Sequence, residues 1–123
     1  DIDQRLVDVA AGCIDLWTVA GGAVLADVVA DPPPQAADVA LLLKSVPCLE
    51  QQEKGSGIRL VDAARAPYVV VSFPTHSLGG ASKGMISHYQ RVMAQMTAER
   101  PWRLTELTFP SELVYIVQKT VDQ

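Results

Sequence analysis

Carboxylates at the ends of short apolar runs are the first residues here with usable chemistry. Asp27 lies near the end of a valine-rich run over residues 23–29, and Asp1 and Asp3 stand just ahead of the first helical pattern. An ionised carboxylate only accepts hydrogen bonds, which suits ribose hydroxyls or an adenine amino group. Asp3 is equally suited to capping the helix that follows, and Asp27 to ending a strand. A second apolar run closes on Lys44-Ser45, and a third on Ser72-Phe73-Pro74-Thr75-His76. The loop Ser77-Leu78-Gly79-Gly80-Ala81-Ser82-Lys83-Gly84 then opens a helix. Its free backbone N–H groups, the positive end of the helix dipole and Lys83 suit a phosphate. It is not a P-loop, because Gly84 follows Lys83 and the glycine spacing differs. Cys13, Cys48, His76 and His88 lack metal-ligand spacing. Ser72 and Ser77 sit in no Gly-x-Ser-x-Gly elbow, and no triad is visible. No residue is assigned a catalytic acid or base role.

The elements that must position these groups follow from periodicity. Leu6, Val9, Cys13 and Trp17 step by three and four, predicting a helix from Asp3 to about Val19 that Gly21-Gly22 ends. Residues 23–29 form a strand candidate, and the Asp31-Pro32-Pro33-Pro34 run breaks all regular structure. Residues 39–44 read as a strand buried on both faces of a parallel sheet. Pro47 starts a helix that Gly55 and Gly57 interrupt before it continues to Ala66. Residues 68–73 are the strongest strand. A helix from about Gly84 to Arg100 carries the stripe Met85, Ile86, Tyr89, Val92, Met93 and Met96, and methionines at this spacing read as core. Two late strands, 102–109 and 113–119, turn at Pro110-Ser111 as an antiparallel hairpin. Alternating helices and strands predict an α/β fold with a largely parallel sheet, the hairpin adding one antiparallel strand at its edge.

The 123 residues, 49% of them hydrophobic, are one domain by length and exclude disorder. No apolar run approaches the roughly 18 residues of a membrane span. The acidic opening Asp1-Ile2-Asp3 is no signal peptide. Two cysteines make no disulfide framework and read as reduced thiols, which places the chain in the cytoplasm. The net charge of −4 hides an asymmetry: residues 1–53 carry −7 and residues 54–123 carry +3. An acidic total therefore does not exclude an anionic partner for the second half.

The motifs also resemble a known family. Ala26-Asp27-Val28, Asp38-Val39-Ala40-Leu41-Leu42-Leu43-Lys44 and Pro47-Cys48-Leu49-Glu50 are similar to the aminoglycoside-resistance 16S rRNA (guanine-N7) methyltransferases. So are Val71-Ser72-Phe73-Pro74-Thr75, Ser77-Leu78-Gly79-Gly80, Lys83-Gly84-Met85, Tyr89, Glu112-Leu113-Val114-Tyr115 and Gln118-Lys119. The resemblance covers essentially the whole chain, in order. It implies a Rossmann-like methyltransferase sheet, mostly parallel with a C-terminal antiparallel hairpin, and S-adenosylmethionine as cofactor. It implies that Asp1 holds the ribose hydroxyls, that Asp27 and Val28 frame the adenine, and that Leu43 and Lys44 border the methionine end. It further implies that His76, Ser77, Lys83, Met85 and Tyr89 meet 16S rRNA in the small ribosomal subunit, Lys83 on phosphate and Met85 near the target base.

Two departures from that family have consequences. Positions 76 and 81, commonly basic there, are His76 and Ala81, which implies weaker phosphate contacts and a smaller salt dependence. The family's glycine-rich first strand and helical N-terminal domain have no counterpart in this sequence. Residues 1–123 are thus expected to be the C-terminal part of the methyltransferase domain, truncated at its N-terminal side. An exposed sheet edge, and self-association through it, is expected where the first strands would lie. The alternatives to the rRNA enzyme are a non-catalytic fragment or RNA-interaction module without a cofactor site, and a methyltransferase with another substrate.

Overall fold

The computed structural model describes residues 1–75 and 84–119. The chain divides into two compact units, Asp1–Pro33 and Pro34–Gln123.

The first unit holds α1, Gln4–Leu16. Asp3 is its N-cap, accepting the Arg5 N–H on Oδ1 at 2.9 Å. The helix ends at Trp17, before the glycine pair, and Thr18 takes a left-handed φ of 54°. The predicted apolar stripe is not an inward face: Leu6, Val9 and Trp17 are exposed, and Val7 is the buried residue of α1. Residues 23–29 are likewise not a strand but extended chain running into a turn. The reason is hydrogen-bonding. The Asp1 ammonium donates to Val24 O at 3.0 Å and Ala26 N–H donates to Asp1 O at 2.8 Å. That is the pattern of a parallel ladder around one residue, too short to count as a strand.

The second unit is a four-stranded mixed sheet with helices. Its elements are β1 (Val39–Leu43), α2 (Val46–Gln52), α3 (Ser56–Ala63), β2 (Tyr68–Pro74), α4 (Met85–Thr97), β3 (Arg103–Thr108) and β4 (Glu112–Gln118). The strand order is β1-β2-β4-β3. β1 runs parallel to β2, with Val39 opposite Tyr68, and β4 runs antiparallel to both β2 and β3. The hairpin therefore does not add its last strand at the edge. β4 inserts between β2 and β3, and β3 is the edge. The side chains explain this order: Leu113, Tyr115 and Val117 of β4 are buried, whereas β3 carries Arg103, Thr105, Glu106 and Thr108, which tolerate a half-exposed position.

β1 also differs from expectation. Ala40 and Leu42 pack on the core, but Val39, Leu41 and Leu43 are exposed on the opposite face. Among the described residues β1 pairs with β2 alone, so it is the other edge.

The predicted helix from Pro47 breaks in two as its glycines indicated. Gly55 adopts φ 87°, a left-handed geometry open to glycine at no steric cost. The Glu50 carboxylate accepts the N–H groups of Gly55 (2.7 Å) and Gly57 (3.0 Å), and Ser56 Oγ donates to Leu49 O at 2.7 Å. At the far end of α3 the Lys119 ammonium donates to the carbonyls of Val61, Asp62 and Ala64 at 2.7, 3.0 and 2.7 Å. A cation on the last carbonyls of a helix is favoured by both hydrogen bonding and the dipole. α4 lies over the sheet through Met93, with Ile86, Tyr89 and Met96 packed against the core.

Candidate functional site

Parallel strands of an open α/β sheet present ligands at their carboxyl ends. In the second unit those ends are Leu43-Lys44 after β1 and Pro74-Thr75 after β2. β4, running the other way, brings its first residue, Glu112, opposite Pro74. The Lys44 ammonium reaches Glu112 Oε1 at 2.9 Å, an ion pair that spans the tip of β2. Lys44 has φ 56°, a left-handed conformation that a lysine rarely adopts. Its N–H donates to both the carbonyl (3.1 Å) and the hydroxyl (3.0 Å) of Ser72, which is buried. Backbone strain of this kind persists where surrounding bonds over-determine it, and it clusters at functional sites. Thr75, also buried, has a hydroxyl with no hydrogen-bond partner among the described residues.

The predicted cofactor residues are distributed over both units. Asp1 is exposed, and its Oδ1 accepts the Asp3 N–H at 2.8 Å. Asp27 is exposed too; its Oδ1 accepts the Val29 N–H at 3.1 Å, an Asx turn that presents Val28 half-buried. Asp3 is occupied as a cap, and its Arg5 partner lowers its pKa below the ordinary carboxylate value. Leu43 and Lys44 both occupy the β1 tip, with Leu43 exposed.

Of the predicted RNA-facing residues, His76, Ser77 and Lys83 lie outside the described residues. Met85 opens α4 after Gly84, whose φ is 83°. Tyr89 is on the same helix, but one face of its ring is committed to packing. It stacks on Phe73 with centroids 4.6 Å apart and planes 22° apart. Phe73 in turn meets Tyr115 edge-on at 6.3 Å.

Sequence reasoning missed the roles of Ser72 and Glu112. Glu112 was findable, because the first residue of an antiparallel strand must arrive at the carboxyl ends of its parallel neighbours. Ser72 carried no signal, since a serine inside an apolar strand shows its bond only when the next strand's tip is placed. No group of three metal-ligating side chains occurs among the described residues. Cys13 and Cys48 are both free thiols. No helix among the described residues is long and apolar enough to cross a membrane.

The four-stranded α/β sheet, in which only the inserted last strand is antiparallel, is a fold shared with solved methyltransferases. A SAM-dependent methyltransferase from Aquifex aeolicus shares the fold at a TM-score of 0.71 over 98% of this chain and 66% of its own, with 9% identity, a likeness of fold alone. The chain belongs to the ribosomal RNA methyltransferase (FmrO) family, whose model matches residues 1–116. A 16S rRNA (guanine(1405)-N(7))-methyltransferase from Frankia casuarinae is 43% identical over 120 residues, which are 97% of this chain and 42% of that protein. The crystal structure of the 16S rRNA methyltransferase RmtF with S-adenosyl-L-homocysteine matches at a TM-score of 0.88 and 33% identity, covering 98% of this chain and 46% of that one. The chain thus spans under half the length of the Frankia casuarinae enzyme and of RmtF.

Proposed function

We propose that residues 1–123 form the C-terminal part of an enzyme that methylates N7 of a guanine in the decoding site of 16S rRNA, giving aminoglycoside resistance in the cytoplasm of its host. The observation that carries this reading is the family match from residue 1 to residue 116. S-adenosylmethionine is the cofactor of that reading, and the donor set suits it. The ribose hydroxyls and adenine amino group of the cofactor are donors, and the exposed carboxylates of Asp1 and Asp27 are acceptors already oriented by backbone N–H groups. Val28 would frame the adenine, and Leu43 and Lys44 the methionine end. When bound, the cofactor supplies an activated methyl group.

The chain's own residues need only bind and orient. Guanine N7 bears a lone pair and no proton, so no side chain has to remove one. Positioning supplies the rate, which agrees with the lack of an acid/base pair in the sequence. The +3 charge of residues 54–123 and the segment carrying His76, Ser77, Lys83, Met85 and Tyr89 support an RNA-facing role for the second half. A second copy of the chain is the partner proposed for the open β1 edge.

The test is expression, in an aminoglycoside-sensitive bacterium, of the complete reading frame that contains these residues, with mapping of N7-methylguanine in 16S rRNA. One methylated guanine in the decoding site together with resistance is expected. Unmethylated rRNA despite soluble protein overturns the reading.

A further inference from the structure

Two cavities of about 270 and 450 Å³ open side by side between α2–α3 and α4, and Glu50, His88 and Val92 line both. The smaller is bounded by Pro47, Glu50, Phe73, His88, Tyr89 and Val92 among others. It adjoins the strand tips, since Pro47 follows Lys44 by three residues and Phe73 is the penultimate residue of β2. Its size falls just under the roughly 300 Å³ at which pockets for drug-sized ligands begin, which suits a single base. Tyr89 and Phe73, stacked on each other, give it an aromatic wall.

Among the described residues, Glu50 is the one acidic residue that lines the smaller cavity. Its two oxygens accept the Gly55 and Gly57 N–H groups, one each, and those bonds fix its orientation. Each oxygen retains a further lone pair, and Glu50 is only half-buried. A fixed pair of acceptors is complementary to a pair of adjacent donors. Among the four RNA bases only guanine offers a ring N–H and an amino N–H side by side, at N1 and N2.

We infer that this cavity seats the target guanine, with Glu50 accepting from N1–H and N2–H and so selecting guanine over the other bases. The inference rests on the methyltransferase reading. N7 lies on a different edge of the purine from N1 and N2, so a guanine held by Glu50 keeps its N7 lone pair free.

The test is nuclear magnetic resonance titration of the ¹⁵N-labelled chain with guanosine, inosine and adenosine 5′-monophosphates, which share one phosphate. Shifts at residues 46–51, 73 and 88–92 are expected with the guanine nucleotide. Inosine monophosphate, lacking the amino group, should bind about tenfold more weakly, and the adenine nucleotide more weakly still. Val92→Trp, which fills the shared wall, should abolish the shifts while the spectrum stays dispersed. Glu50→Gln should erase the preference among the three nucleotides, with the Gly55 and Gly57 amides reporting whether the loop is kept. Equal affinity for all three nucleotides, shifts elsewhere, or none at millimolar guanine nucleotide overturns the inference. No cofactor or methyl transfer enters this experiment. Methylated rRNA with no guanine seat here defeats the inference alone, and a guanine seat with unmethylated rRNA defeats the enzyme reading alone.

Discussion

Tyr115 shows what one buried hydroxyl does for the second unit. Its O–H donates to Glu106 Oε1, and Gln90 Nε2 donates to both Glu106 oxygens at 3.1 and 3.2 Å. One carboxylate therefore ties β4, β3 and α4 together. Burial, and then the hydrogen bond to Glu106, push the Tyr115 pKa well above its ordinary value of 10.0. The folded phenol holds its proton more tightly than the unfolded one. Its contribution is thus complete below about pH 10 and is lost as pH rises beyond, where the unfolded chain ionises first. The loss runs at up to about 1.4 kcal/mol per pH unit. Tyr115→Phe should cost about 1–2 kcal/mol at pH 8 by removing a charged-acceptor bond. It should also flatten the fall in stability between pH 10 and 11.5. Urea unfolding across that range checks both; identical slopes in the two proteins would remove Tyr115 from the linkage.

The helices and strands were legible to different degrees, for physical reasons. Periodicity located α4, β2 and β4 within a few residues, because their apolar faces do meet the core. The Gly55 break was legible because a left-handed residue between two helices calls for glycine. The order of β3 and β4 was not read, although it follows from comparing the polar Arg103–Thr108 strand with the apolar alternation of β4. Residues 23–29 have the composition of a strand, but pairing, not composition, makes one. At the site, Lys44 was legible as a strand-tip residue, while its pairing with Glu112 depends on β4 entering the sheet. Lys119 was visible in the sequence as the end of a strand and as part of a family motif, neither of which signals that it caps α3 from 55 residues or more away. Lys119→Met keeps much of the aliphatic stem and leaves three carbonyls without their ammonium. It should destabilise the chain by about 1–3 kcal/mol, and amide hydrogen exchange should localise the loss to α3. Unchanged protection over Ser56–Ala63 would show that the cap contributes nothing.

On the scale of the whole chain, the open edge of β1 has the largest consequence. Val39, Leu41 and Leu43 form an exposed apolar row, with Leu41 60% and Leu43 58% exposed. Among the described residues, no strand other than β2 pairs with β1. Natural edges are usually protected by charge, proline, a bulge or covering structure. The Lys44–Glu112 pair guards only the tip of β1. The −4 net charge opposes association over long range, but at physiological ionic strength it is screened beyond about 8 Å. Hydrophobic contact and strand pairing act at shorter range than that, so pairing of two β1 edges should prevail as concentration rises. Sedimentation velocity should therefore show a dimer forming with concentration, strengthened by salt. Leu41→Lys places one charge in the middle of the row. Leu41 is mostly exposed, so folding stability should stay within about 0.5 kcal/mol of the parent, while the dimer disappears. A parent chain that sediments as a monomer at every concentration and salt, or a Leu41→Lys chain that dimerises as readily, would leave the edge without this partner.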